Sequence, residues 1–488
     1  MAGGTWDPLQ PKYLPGLYLD FQSAGLAAIQ PGSRGTVIMP VKANWGPVRQ
    51  FVTIESEDDV FNTFTSDESH GETAYTNLRF ALMGGAQKIL AYRLADSNAA
   101  AETITLNDTS ATPVGVLKLT TKYPTIRQFN ITVRTNLVDS TKYDILLYEG
   151  STFLYMVTFS KTDPVDSAVS AINNDPNNSW ITATNVAAGN GNLALVSSQP
   201  MTGGNEGLAG ITSTDYVNFL ASAEGQDFNI LTLDGISDPA IQTSVASWVE
   251  RVRSEGKGII CIMGGSVTDD TSSNAVATAE SRAYGFNHEG IVCVGVGAIL
   301  DGVTYSSAQV ASYIAGAIAG QKMSESITYF ATPFDDVTRR WTKSEMESAV
   351  QNGVLLLVND GRIVKVLRGI NSLVTLRQGQ NNFWKKIRAI RTMDAINDDL
   401  SRTAEDNYIG KINNTEEGRL SLIGACKQYM QVLSQSGVIE NTGWDVFLDP
   451  TYYGTSATIT PEPDQVYIKW QARLTDVMEF IFGTFVVE

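Results

Sequence analysis

Hydrophobic positions along this 488-residue chain follow two rhythms. From Gly35 to Leu94, apolar runs alternate with stretches of helical spacing: "GTVIMPV", a helix around "SEDDVFNTF", a helix at "AYTNLRFALMGG", then "KILAYRL". Parallel strands covered by helices on both faces read as unbroken apolar runs, so this is a βα rhythm. It resumes after residue 200, where "FNILTLDG", "KGIICIMGG" and "GIVCVGVGAIL" are strands. Between them lie helices at "DPAIQTSVASWVERVRSEG", "SSNAVATAESRAYGF" and "SSAQVASYIAGAIAGQKM", the first opening on Asp-Pro and stopping at Gly. Residues 100–200 differ in kind. They are rich in Thr, Asn, Ser and Asp and carry short alternating runs such as "GVLKLTT", "FNITVRT", "YDILLYEG" and "TFLYMVTF". Period-two alternation predicts antiparallel strands. The reading is an α/β core domain interrupted by an inserted antiparallel β domain.

The remainder is α+β. Asn359-Asp360-Gly361 between apolar runs predicts a hairpin. Helices are expected from about Asn382 to Arg402 and from about Glu416 to Ser436, with Gly437 as the stop, followed by strands at "QVYIKWQARL" and "DVMEFIFGTFVVE". The boundaries that result are an N-terminal arm at 1–30, a split α/β domain at 31–98 and 201–345, the β insertion at 99–200, a C-terminal α+β domain at 346–474, and a C-terminal strand arm at 475–488. Both arms are predicted strands without a nearby partner. Leu17, Tyr18, Leu19 and Phe21 carry the first; Val477, Phe480, Phe482, Phe485 and Val487 carry the second. Unpaired edges recruit other chains, so two of them at opposite chain ends predict an interaction role.

Composition narrows the class. Hydrophobic content of 43% and charged content of 18% are those of a folded chain. A net charge of −17 argues against a general nucleic-acid binder and against adhesion to an anionic membrane. No apolar run reaches the ~20 residues that span a bilayer, so no membrane insertion is expected. The N-terminus lacks a basic region followed by an apolar core, and Cys261, Cys293 and Cys426 are read as buried thiols, so folding in a cytoplasm is expected.

Candidate chemistry is sparse. His70 and His288, the two histidines, lie in polar settings ("DESHGET", "GFNHEG") and are read as surface residues. No Cys or His pair has metal-ligand spacing, and neither a G-x-S-x-G elbow nor a G-x-x-x-x-G-K-[ST] loop occurs. "VGVGAIL" imitates a dinucleotide loop but has Leu300 where the third glycine belongs. Gly84-Gly85 is read as the turn that ends a helix before a core strand. No catalytic, cofactor or metal residues are assigned. One charge anomaly remains. Between Gly361 and Met393 there are eight Lys or Arg (Arg362, Lys365, Arg368, Arg377, Lys385, Lys386, Arg388, Arg391) and no Asp or Glu, leaving 27 basic against 52 acidic residues elsewhere. Lys385, Lys386, Arg388 and Arg391 fall away from the centre of an apolar helix stripe, which suits either a solvated face or a docking surface for an acidic partner.

In order along the chain, "LPGLYLDF", "RGTVIMPVKANWGPV", "GGAQKILAYRL", "MTGGNEGLAGITSTDYVNFL", "NILTLDG", "RIVKVLRGINSL" and "DNYIGKINNTEEGRLSLIGACKQYMQVL" resemble the sheath proteins of contractile phage tails, in the form found in Gram-positive prophages and tail-like bacteriocins. The resemblance implies hexameric rings stacked helically around a tail tube, with baseplate and tail terminator proteins as further partners. It implies assembly in the host cytoplasm into a virion tail or tail-like particle. It places the β insertion outermost and the C-terminal domain against the tube, so that Lys385, Lys386, Arg388 and Arg391 would face an acidic tube. It implies arms that add strands to neighbouring subunits' sheets and so hold the rings together through contraction. The rival readings are a static viral shell or tube protein and a Rossmann-like α/β enzyme.

Overall fold

The computed structural model describes residues 35–187 and 192–486, together with the backbone of two short strands, Gly3–Thr5 and Leu17–Leu19. Phe21 and Val487 lie outside the described residues. The chain divides into two compact units, one built on residues 33–394 and 479–488, the other on residues 395–478.

Seven strands make the central sheet of the larger unit, in the order Val354–Leu355, Ile291–Val294, Ile260–Gly264, Ile230–Thr232, Thr36–Lys42, Lys88–Leu94 and Phe51–Ile54. Neighbours pair in parallel except Phe51–Ile54, which runs antiparallel to Lys88–Leu94. Side chains alternate across the sheet, as the two-residue repeat requires. Val37, Met39, Ile89, Ile260 and Ile262 enter one core, beneath helices Ala74–Gly84, Ala275–Phe286 and Ser307–Gly320. Ile38, Leu90, Leu231, Cys261 and Met263 enter the other, beneath Ser213–Ala223 and Pro239–Ser254. Burial on both faces is why these strands read as unbroken apolar runs. Asp238 caps the Pro239–Ser254 helix by accepting from the Ala240 and Ile241 amides at 2.8 and 3.1 Å.

The expected domain boundary at 346 needs correcting. Val354–Leu355 is an edge strand of the central sheet, paired with Ile291–Val294, so the α/β layer runs past it. Beyond it the hairpin forms as expected, Leu357–Asn359 against Val364–Val366. Gly84 and Gly85 have separate tasks. Gly85 ends the helix with φ of 116°, while Gly84 lies against the backbone of Tyr313–Ala317, where an added Cβ would strike the Tyr313 carbonyl. Gly316 faces the Ala81 carbonyl in the same way, so two helix backbones meet through their smallest residues.

The insertion is a two-sheet β unit. One sheet holds Thr152–Ser160, Lys142–Glu149, Phe129–Thr135 and Val196–Pro200; the other holds Ile181–Asn185, Gly115–Pro124 and Ala101–Asn107. It also contains a helix the alternation did not announce, Pro164–Asn173, whose Val165, Ala168 and Ile172 join the inter-sheet core. Arg93 ties the insertion to the central sheet. Fully buried, it donates to the carbonyls of Gly46, Pro124 and Glu206 at 2.8, 2.9 and 3.1 Å. Burial pushes its guanidinium down to about 10, so it stays charged at neutral pH.

In the smaller unit, helix Glu416–Gln435 buries Ile423, Cys426, Tyr429, Met430 and Leu433, and the Tyr429 hydroxyl donates to Asp399 at 2.6 Å. The helix Ile387–Asn407 begins in the larger unit and ends in this one, and is preceded by a 3-10 turn at Asn382–Lys385. The strand expected in "QVYIKWQARL" is Ile468–Gln471, antiparallel to Asp445–Leu448.

The arms depart from expectation. Leu17–Leu19 is a strand, but it has a partner in its own chain, pairing in parallel with Gly3–Thr5. Among the described residues, 475–486 include no strand. A lone extended segment has no ladder to join inside one subunit.

Glu102 provides a pH test of the insertion's junction with the core. Its carboxyl is buried with Oε2 unpaired, and burial, partly countered by the Phe129 amide and Arg127, pushes it from the ordinary 4.5 up to about 7. An acid whose folded value exceeds its unfolded one costs stability above the folded value and nothing below the unfolded one. Glu102→Gln is therefore expected to be more stable than wild type at pH 8, by about 1–3 kcal/mol in urea unfolding. The difference should shrink between pH 7 and pH 4.5; a pH-independent difference contradicts it.

Candidate assembly site at the C-terminal arm

Three segments distant in sequence converge on one carboxylate, Glu479, whose side chain is 6% exposed. Its Oε2 accepts from Arg368 Nε and Nη2 at 3.1 and 3.0 Å and from Lys386 Nζ at 3.0 Å. Its Oε1 accepts from the Thr328 hydroxyl at 3.0 Å. The donors are held from behind. Thr328 Oγ1 accepts from the Gly369 amide at 3.0 Å, while Asn371 joins the two basic segments, its amide donating to Lys385 O at 3.0 Å and its side chain to Trp384 O at 2.8 Å. Charge-assisted hydrogen bonds contribute roughly 1.5–3 kcal/mol each, and removing one partner of a buried pair costs more than the pair nets. Glu479 is therefore a fixed anchor point for the end of the chain.

Beyond the anchor the chain turns apolar and exposed. The Phe480 ring lies under the Arg368 guanidinium at 5.3 Å. Past it, Ile481, Phe482, Phe485 and Val486 are 84%, 94%, 89% and 76% exposed. Contiguous apolar surface of this kind marks an interaction site. Val477 precedes the anchor. In the smaller unit, the two-stranded sheet Asp445–Leu448/Ile468–Gln471 has no further strand on either outer edge among the described residues.

The basic segment serves this architecture more than it forms a face. Arg388 is buried and donates through Nε to the Met323 carbonyl at 3.2 Å; Arg391 donates to the Gln321 carbonyl at 2.7 Å. Both hold the segment that follows helix Ser307–Gly320. The expectation of Arg388 on a surface is thus corrected: it is buried, and its Nε binds a carbonyl of the loop beyond the helix. Lys386 is committed to Glu479. Lys385 is half-buried, lining a cleft with Gly353, Ile370, Leu373 and Asn382. Arg362 is 84% exposed beside Asp360, and Arg377 59% exposed beside Glu250. Sequence spacing found Lys386 but not its partner, because Glu479 lies 93 residues away.

At the carboxyl ends of the central strands, where an α/β enzyme would bind its ligand, several polar groups are engaged with one another. Asp234 accepts from the Tyr216 hydroxyl at 2.9 Å and lies 3.6 Å from Lys42. Asp270 accepts from the Ser307 amide and hydroxyl at 2.5 and 2.7 Å, and burial pushes its carboxyl up to about 6. The "VGVG" glycines admit neighbouring protein: a Cβ on Gly295 would strike Val354, and one on Gly297 the Tyr305 carbonyl. His288 is not a surface residue, which corrects that expectation; it is 5% exposed, and its Nδ1 accepts from the Gly290 amide at 3.0 Å. His70 is half-exposed in the loop before helix Ala74–Gly84.

If Glu479 anchors the arm, Glu479→Gln should loosen it without unfolding the subunit. A spin label at residue 478 should become clearly more mobile in the variant, with the thermal midpoint moving by only a few degrees. Unchanged label mobility rules out the anchor.

Four family models tile nearly the whole chain: tail sheath protein Gp18 domain III N-terminal region at 34–94, phage tail sheath protein beta-sandwich domain at 95–206, phage tail sheath protein central domain at 209–372, and phage tail sheath C-terminal domain at 379–488. The fold is similar to the crystal structure of the sheath tail protein from Desulfitobacterium hafniense, 28% identical, covering 89% of this chain and 94% of that one with a TM-score of 0.68. Phage-like element PBSX protein XkdK of Bacillus subtilis is 26% identical over 475 residues, covering 91% of this chain and 92% of the relative. The helical sheath of the anti-feeding prophage in its contracted state, 12% identical, shares the fold over 98% of this chain and all of that one, with a TM-score of 0.55. The chain belongs to the phage tail sheath protein family, and is a structural component of a tail or tail-like particle rather than an enzyme.

Proposed function

We propose that this chain is the repeating subunit of a contractile sheath, stacked as hexameric rings around a tail tube and bound at its ends by baseplate and terminator proteins. Assembly takes place in the host cytoplasm, in a phage tail or a bacteriocin-like particle. One observation carries the reading: an apolar segment, Phe480 to Val486, leaves a buried anchor and, among the described residues, joins no strand. Extended backbone without a ladder gains most by adding to an open sheet edge elsewhere. The open edges of Asp445–Leu448/Ile468–Gln471 are suitable acceptors in a second copy. Leu17–Leu19, with Phe21 beyond it, is the other linking element. Its pairing with Gly3–Thr5 must then extend into, or be exchanged for, pairing between subunits.

Contraction in this reading is a mechanical step. Subunits move as bodies into a packing of lower free energy while the arms keep them joined, and the driving force is lateral surface buried between copies rather than nucleotide hydrolysis. The tube contact is assigned to the exposed Arg362 and Arg377 and the half-buried Lys385, which lines a surface cleft, since Arg388, Arg391 and Lys386 are engaged inside the subunit.

Ending the chain after Glu479 keeps the anchor and removes the exposed segment. The shortened protein should remain folded, with a thermal midpoint within a few degrees of wild type, and should form no tubes visible by electron microscopy. Normal tubes of two lengths and two diameters from the shortened chain contradict the arm assignment. For the tube contact, Lys385→Glu should lower co-sedimentation with purified tail tubes by about tenfold at low salt, the gap narrowing as salt screens it. Equal co-sedimentation at low salt removes Lys385 from the interface.

A further inference from the structure

The loop "TSDESHGET", between helices Glu57–Phe64 and Ala74–Gly84, collects three groups that the assembly function does not use. We propose that Asp67, His70 and Glu72 bind one divalent transition-metal ion, of zinc or cobalt type, at the surface of the subunit.

Geometry comes first. One ligand atom from each of the three residues can be chosen so that all lie within 4.8 Å of one another. The loop is shaped around that point. The His70 amide donates to Glu72 Oε2 at 2.7 Å, and the Ser69 amide donates to Asp67 Oδ1 at 3.1 Å. Gly71 makes the reversal with φ of 95°, and Thr73 fixes the loop's end by accepting from the Lys42 amide at 3.0 Å. Glu68 points elsewhere, accepting from the Thr76 amide and hydroxyl at 2.9 and 2.6 Å.

The second observation is an unpaired buried oxygen. The Glu72 side chain is 1% exposed, and its Oε1 has no hydrogen-bond donor. That oxygen faces His70 Nδ1 at 3.7 Å, while the Ser69 hydroxyl lies 3.0 Å from the same nitrogen. With the neutral ring protonated at Nε2, Nδ1 and Oε1 are two acceptors with nothing positive between them, and the Ser69 hydroxyl turns aside to free the Nδ1 lone pair for an ion. Buried carboxylate oxygens are rarely left so. A cation resolves the conflict: two carboxylates and a neutral imidazole match a divalent charge. A mixed nitrogen and oxygen set favours zinc, cobalt or manganese over calcium and magnesium, which prefer oxygen alone. Three protein ligands leave a position for water. Closing to metal–ligand distances of about 2.0–2.2 Å calls for side-chain rotation, which the exposed Asp67 and His70 can make. The ion would clamp the loop between the two helices. Sequence spacing concealed the site, because one histidine among carboxylates matches no familiar ligand pattern.

The full untagged chain, titrated with cobalt(II), should show a visible d–d absorption band of a nitrogen–oxygen site. Zinc at a hundredfold excess over its dissociation constant should raise the thermal midpoint by several degrees. His70→Ala and Asp67→Asn both change exposed side chains, and each should abolish the band or weaken metal affinity by at least about tenfold. Absence of the band overturns the proposal, as does a band that survives both variants, or one dominated by thiolate charge transfer from the three buried cysteines. A His70 ring that titrates as a simple ion pair with Glu72, unaffected by zinc, also overturns it, since a proton alone then fills the gap.

Discussion

A carboxylate sealed between two cations and a hydroxyl determines where the last residues of this chain can go. At Glu479 the chain is tied to its own subunit through that side chain; immediately afterwards it is apolar, exposed and, among the described residues, in no strand. Backbone amides and carbonyls need partners wherever they are shielded from water, and one strand cannot supply them to itself. Anchored at one end and in no strand beyond it, such a segment leaves both its backbone groups and its apolar side chains to water. Pairing with another copy removes both problems at once: ladder bonds satisfy the backbone, and Phe482, Phe485 and Val486 leave water.

The body carrying the arm is built to keep its shape. Gly84 and Gly316 let two helices meet backbone to backbone, which leaves little freedom to slide. Arg93 brings three carbonyls to one guanidinium where the β insertion departs and returns, so the insertion is fixed to the sheet at a buried polar joint. The three bonds from the terminal nitrogens fix the joint's geometry, while the buried Arg93 Nε has no acceptor. Stiff bodies linked by tethered strands can change their packing without unfolding, which is what a contractile assembly demands.

Much of this was legible in the sequence, and the failures have physical causes. The parallel strands declared themselves because burial on both faces leaves no polar alternation in "TVIMPV" or "IICIMG". The hairpin at Asn359–Gly361 and the ends of helices Pro239–Ser254 and Glu416–Gln435 were marked by local chemistry that needs no tertiary information. Helix Pro164–Asn173 was missed because it shares a core with strands and lies in a stretch whose overall rhythm is period two. The basic segment was misread in part for a different reason. Helical spacing tells which way Arg388 points but not that the carbonyls after a distant helix await it. Nor could it reveal that Glu479, 93 residues on, neutralises Lys386. His288 was misplaced because its neighbours Asn287 and Glu289 are polar although the ring itself is buried. Long-range pairing between charges is the kind of information that a local pattern does not carry.

The proposed function depends on which copy completes which sheet, so the most direct measurement is a resolved density map of the assembled particle traced through residues 475–486. The proposed linkage predicts that the chain leaves the Glu479 anchor and continues as a strand hydrogen-bonded to Asp445–Leu448 or Ile468–Gln471 of a different subunit. A trace in which those residues fold back onto their own subunit, with neighbouring copies touching only through side chains, contradicts it.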